Sequence, residues 1–280
     1  MSSSRGDQKG RVDWFALPVV GETFDGFLND CGQFAVKPEH AVRGIELASE
    51  EAVEEGNTGG GTGMVCHNYK GGTGSSSRIV PGFKAGGKEA VDYTVGVLVQ
   101  ANYGRGRDLR IGGMPVGRLL EEENKLTKEE ETQKAALEDS KSRHDGSIII
   151  ILATSAPLNP IQLQRLSKRA AVGLARVGGN GHNQSGDTFF ALSTANDNIA
   201  GLQGLYGEKK VDFYKRTPFE MQCVDDLSIN GSFEAAADAV EEAIYNSLCC
   251  AETMVGLDGR RVEALDLERV KGIVERYSPQ

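Results

Sequence analysis

The chain has 280 residues, enough to bury a hydrophobic core without disulfide or metal staples and to form one large domain or two small ones. Its 31 Lys and Arg stand against 40 Asp and Glu, a formal charge of −9, which argues against a sequence-independent grip on nucleic acid phosphates. Mean hydropathy is −0.34, and the longest apolar run, Ile148 to Ala153, falls far short of the roughly 20 residues a membrane helix needs. The first dozen residues are polar and lack the apolar stretch of a secretory signal. Five cysteines without a CxxC pair read as reduced, buried thiols of a cytoplasmic protein. The 36 glycines follow no collagen-like period, so many tight turns and close backbone approaches are expected.

In chain order, the first helix signal follows Lys37-Pro38, because proline suits a first helical turn. Val42, Ile45, Ser49 and Ala52 recur at helical spacing, and Gly56 stands where a C-terminal cap would close the segment. Residues 56 to 87, rich in Gly and Ser, read as loop. A β-branched run from Tyr93 to Ala101 reads as a strand. Leu119 to Arg143 is charged in both signs with no sustained apolar face, the pattern of a solvated linker or an exposed helix. Ser147 to Thr154 is apolar on both faces and reads as a central strand covered on both sides. Asn159-Pro160 supplies an N-cap and a first-turn proline for a helix whose stripe is Leu163, Leu166, Ala170, Leu174 and Val177. A strand is expected at Asp187–Thr194, and a last helix from about Phe233 to Met254 with Ala237, Val240, Ile244, Leu248 and Ala251 on one face. Strands and helices alternate without internal repeats, which fits a layered α/β architecture.

Familiar site motifs are absent. No G-x-S-x-G occurs, and Gly59-Gly60-Gly61-Thr62-Gly63 does not meet the dinucleotide pattern. Lys70-Gly71-Gly72-Thr73-Gly74-Ser75 matches a P-loop in composition alone, since its Lys precedes the glycines. His40, His67, His144 and His182 are isolated, with no metal-ligand spacing, and read as surface or hydrogen-bonded structural residues. No metal or cofactor is expected. What remains is Asp145-Gly146-Ser147, where a hydroxyl heads the most apolar strand and must be paired or bear its desolvation cost. Were the Gly146–Ser147 bond cut, Ser147 would carry both a nucleophile and an α-amine. Such an amine titrates at about 7.7–8.0 and could serve as general base without histidine. The spacing is equally that of a plain turn before a strand.

At these residues the sequence resembles the DmpA-type family, the L-aminopeptidase/D-Ala-esterase-amidases and their β-peptidyl aminopeptidase relatives. Six blocks match in order: ALPVVGETFDGFLND (16–30), EGNTGGGTGMVCHNYKGGTGSSSRIV (55–80), YTVGVLVQANYG (93–104), DGSIIIILATSAPL (145–158), GLARVGGNGHNQSGDTFFALSTAN (173–196) and SINGSFEAAADAVEEAIYNSLCCAETM (228–254). The resemblance implies an α/β fold, a four-layer αββα sandwich like that of N-terminal-nucleophile hydrolases, with the connectivity shared with ornithine acetyltransferase. It also implies self-cleavage between Gly146 and Ser147 into an α chain, 1–146, and a β chain, 147–280. The charged segment 119–143 would then be the pre-cleavage linker within a single domain, 1–280.

Carried over by motif, Ser147 is the nucleophile and Asn102 the amide that stabilises the oxyanion. Ser185 and Asp187 would orient the freed amine, with the hydroxyl expected as the closer partner because a carboxylate would favour the protonated form. Glu22 would hold the substrate ammonium, and Phe24 stands where the D-Ala-esterase type has a tyrosine. The implied substrates are short peptides, amides or esters with a free N-terminus, and the implied assembly is a homo-oligomer of processed heterodimers. Fifteen residues precede Ala16, where family members carry a longer region that supplies strands and part of the pocket. The domain is therefore expected to be N-terminally incomplete, and the alternative is an inactive, truncated relative with a structural or interaction role.

Overall fold

The computed structural model describes residues 19–126, 146–196, 212, 214–216, 218 and 220–277. After a short helix, α1 (Pro38–Glu46), comes a two-stranded ribbon, β1 (Val65–Cys66) and β2 (Tyr69–Lys70). The main sheet follows with β3 (Gly72–Phe83) and β4 (Ala90–Asn102), then, beyond helix α2 (Val116–Leu126), β5 (Ser147–Thr154). Helices α3 (Pro160–Ser167) and α4 (Ala170–Val177) carry the chain to β6 (Thr188–Ser193). Helix α5 (Asn230–Cys249), a second small ribbon, β7 (Met254–Val255) and β8 (Arg261–Val262), and helix α6 (Leu267–Tyr277) complete the described elements.

The sheet runs β3-β4-β5-β6. β3/β4 and β4/β5 are antiparallel, whereas β5/β6 is parallel and therefore needs the helical crossover through α3 and α4. Side chains alternate between faces along each strand. On one face Val95, Val97, Val99 and Ala101 of β4 and Ile148, Ile150 and Leu152 of β5 are buried beneath the helical layer. That layer is dominated by α5, whose Ala237, Val240, Ile244 and Leu248 are buried as the helical stripe requires. The other face carries Leu98, Gln100 and Asn102 of β4 with Ile149 and Ile151 of β5 and Phe190 of β6. Here Ile151 is 36% and Phe190 48% exposed. β5 is thus central within its sheet but covered by helices on one side; a second large sheet is not among the described residues.

Several sequence expectations are corrected by tertiary packing. The stretch read as loop contains β3, the longest Gly/Ser-rich strand. Its small residues exist for close approach: a Cβ on Gly74 would lie 1.9 Å from the Ala243 carbonyl oxygen of α5. Asn246 then donates to the Ser75 carbonyl at 2.8 Å. α1 ends at Glu46 rather than near Gly56 and buries none of its residues, so no packing extends it. Gly56, at φ +80°, instead forms a bridge with Thr73. The helix expected after Pro160 divides in two at Lys168-Arg169, although Leu166, Ala170, Leu174 and Val177 are all buried. Its start is as expected, with Asn159 and Gln162 forming a reciprocal capping box. α5 stops at Cys249 because Asn57 pins the next turn, exchanging hydrogen bonds with the Glu252 backbone at 2.8 and 3.1 Å.

The charged segment 119–143, read as a solvated linker or an exposed helix, is helical over its first part. Residues 119–126 belong to α2, where Val116 and Leu120 are buried with Val270 and Ile273 of α6. Arg269 and Arg276 both reach Glu123, at 3.4 and 3.1 Å. Residues 127–145, including His144, lie outside the described residues. All five cysteines are free, but Cys66 alone is buried and the other four are exposed.

Candidate active site

β4 ends and β5 begins at the same edge of the sheet, and the register places Asn102 directly opposite Ser147. Both face away from the helices, since their neighbours Ala101 and Ile148 point into the core. The Ser147 hydroxyl oxygen accepts a hydrogen bond from the Gly186 N–H at 2.8 Å. The next residue's N–H, that of Ile148, donates to Asp187 Oδ1 at 3.2 Å, and the Ser185 hydroxyl donates to the same carboxylate oxygen. The loop Ser185-Gly186-Asp187 therefore grips the start of β5 at both its side chain and its backbone. Gly146 is dictated by space: a Cβ there would stand 1.8 Å from the Asn102 carbonyl oxygen.

The Asn102 carboxamide is clamped. Its oxygen accepts from the Val65 N–H at 2.9 Å, and its nitrogen donates to the Phe24 carbonyl at 2.7 Å. A carboxamide nitrogen carries two protons, so the second N–H is fixed in direction yet left for another acceptor. Glu22 is brought near by the same segment. Gly21 packs against Ile149 Cδ1, 3.0 Å from the position its Cβ would take, and Phe24 bonds Asn102; the exposed Glu22 lies between these two anchors. Phe24 contributes its backbone, not its ring, which folds back over Gly26 and is 75% exposed. An open, shallow depression adjoins the site, its walls including Tyr103, Arg105, Asp108, Gly178, Ser185 and Asp187.

His182 lines the depression, its carbonyl accepting from the Ser185 N–H at 2.8 Å. His67 lies buried with Nδ1 3.0 Å from the Arg105 carbonyl, and burial holds its pKa below the usual value. His40 accepts from the Lys37 N–H at the start of α1. The Lys70–Ser75 stretch is the end of β2 and the start of β3, not a phosphate loop. Among the described residues no group of His, Cys, Asp and Glu is arranged to hold a metal ion, and no helix is long and apolar enough to cross a membrane. What residue types could not signal are the backbone partners: the N–H groups of Gly186 and Val65 and the carbonyl of Phe24.

The mixed α/β scaffold, a sheet under helices with a serine heading a central strand, is similar to solved structures of the N-terminal-nucleophile hydrolase fold. The chain belongs to peptidase family S58, whose model matches residues 1–262. It is 43% identical over 272 residues to the "Beta-peptidyl aminopeptidase BapA" of Sphingosinicella microcystinivorans, covering 97% of this chain and 64% of that protein. A Burkholderia sp. beta-aminopeptidase structure superposes with a TM-score of 0.76 at 38% identity, covering 98% of this chain and 68% of the other. The L-aminopeptidase D-Ala-esterase/amidase of Ochrobactrum anthropi, described as a variant among the Ntn hydrolase fold, gives 0.70 at 36% identity over 91% of this chain and 61% of its own. The chain thus spans less than two thirds of the length of the curated relatives it matches.

Proposed function

We propose that this chain is a self-processing serine aminopeptidase. The observation that carries the reading is the Ser147–Asn102 cross-strand pair with the Ser185–Asp187 loop bonded to the serine. In maturation, the Ser147 hydroxyl attacks the Gly146 carbonyl, the acyl group shifts from nitrogen to oxygen, and water cleaves the resulting ester. The α-amine so released, with an ordinary pKa of about 7.7–8.0, takes the hydroxyl proton in each later turnover. The Gly186 N–H stabilises charge growing on the attacking oxygen, while the remaining Asn102 N–H meets the oxyanion. Glu22 pairs with the substrate ammonium, which restricts cleavage to N-terminal residues of short peptides, amides or esters. Water then releases the acyl group from Ser147. We infer in the same way a cytoplasmic homo-oligomer of processed α and β chains.

Ser147→Ala tests the reading. The parent chain is expected to hydrolyse aminoacyl-p-nitroanilides, and the variant to remain one chain and show no hydrolysis above background. A variant that still splits or turns over overturns the mechanism. A parent with no hydrolysis supports instead an inactive relative with a structural role.

A further inference from the structure

Lys70 ends β2 fully buried, an expensive place for an ammonium group. No carboxylate meets it among the described residues. Its Nζ donates instead to two carbonyls, Gly61 at 3.1 Å and Gly71 at 2.6 Å. Both lie on the scaffold that clamps Asn102. The Gly61 carbonyl also accepts from the Met64 N–H at 3.3 Å, so Lys70 closes the turn that delivers the next residue, Val65, whose N–H holds the Asn102 oxygen. From the other side, the Gly71 N–H bonds the Met64 carbonyl at 3.0 Å. The same turn reaches the second arm of the clamp: a Cβ on Gly63 would lie 3.0 Å from the Asp25 side chain, and Asp25 follows Phe24, whose carbonyl holds the Asn102 nitrogen.

We propose that Lys70 is a positioning residue: by tying the Gly61 and Gly71 carbonyls together it sets the 61–65 turn, and thereby the direction in which the Asn102 carboxamide presents its remaining N–H to the oxyanion. This rests on the reading of Asn102 as the oxyanion donor. The amide acts in the transition state and much less on bound substrate, so a defect in aiming it falls on kcat and not on KM. Losing an oxyanion donor outright costs about 10²–10³ in kcat, which bounds the effect of misaiming one.

The test measures kcat and KM, per cleaved molecule counted by intact mass, for Lys70→Ala, Asn102→Ala and the double variant. Lys70→Ala is expected to lower kcat about tenfold or more with KM little changed, and n-propylammonium, which replaces the deleted atoms, is expected to restore it. In the Asn102→Ala background Lys70→Ala is expected to cost nothing further. Where Lys70→Ala slows self-cleavage, the cleaved fraction against time, with and without n-propylammonium, is read in the same way. Lys70→Met, which fills the space without the charge, replaces the Ala variant if that one does not fold. Independently of activity, the Asn102 side-chain NH₂ resonances should be dispersed and slow to exchange in the parent and collapse toward free-amide values in the variant. Unchanged kcat in the variant, losses that multiply in the double variant, or unaltered Asn102 resonances would overturn the proposal. An Asn102→Ala variant with full kcat would remove the oxyanion assignment instead, leaving the resonances to decide whether Lys70 sets that side chain.

Discussion

The two faces of β5 carry opposite tasks one residue apart. Ile148, Ile150 and Leu152 are buried under the helices, while Ser147, Ile149 and Ile151 face the side where Asn102 and the Gly21–Phe24 segment lie. Period-two alternation lets one strand pack into the core on one face and present a polar group on the other. The packed face holds Ser147, the proposed nucleophile, steady without touching it. On this face Ser147 and Asn102 are held by backbone donors, the N–H groups of Gly186 and Val65.

Substitutions can break this division. Asn102→Ala is expected to reduce kcat about 10²–10³-fold and, with the Val65 N–H and the Phe24 carbonyl left without their partner, to cost about 1–3 kcal/mol of stability; kinetics alongside urea unfolding would check both. A loss of stability with kcat unchanged would mean that Asn102 is chiefly structural. Within the strand, Ile150→Ala is expected to cost about 2–5 kcal/mol while each folded molecule keeps its activity. Its neighbour Ile151→Ala, at 36% exposure, should cost less than half as much in the same unfolding experiment, and equal costs would show that the open face is as tightly packed as the other.

A further effect is in pH. Burial pulls the Lys70 ammonium from 10.5 to about 8, so between those values the unfolded chain binds a proton that the folded chain has shed. Stability from this group therefore rises with pH across that window, by at most about 1.4 kcal/mol per unit, and below pH 8 the cost of the buried charge is fully present. Cys66 beside it, its thiol pushed up to about 12 by burial, acts in the opposite sense above pH 9, but Lys70→Met retains it. The stability difference between parent and Lys70→Met should thus shift in favour of the parent from pH 8 to 10. A flat difference would mean that Lys70 titrates normally.

How legible the molecule is in its sequence follows from which forces fix each part. β5 has the expected bounds, Ser147–Thr154, because an unbroken β-branched run has few alternatives to a buried strand. The stripe of α5 is equally plain, although its end depends on Asn57, far away in the chain. β3 is hidden because Gly and Ser spell loop locally, and the close approach to α5 that requires them is a tertiary fact. The extent of α1 is misread because the pattern alone cannot say that nothing packs on it. At the site, Ser147, Asn102, Ser185 and Asp187 lie together at one end of the sheet. The groups that hold them, backbone amides, a carbonyl and a buried lysine, have no residue-type signature.

The most direct measurement is the intact mass of the purified 280-residue chain under denaturing conditions, followed over time. The account predicts two fragments that part between Gly146 and Ser147, with conversion abolished in Ser147→Ala. A single species of 30.0 kDa that persists through long incubation would contradict it.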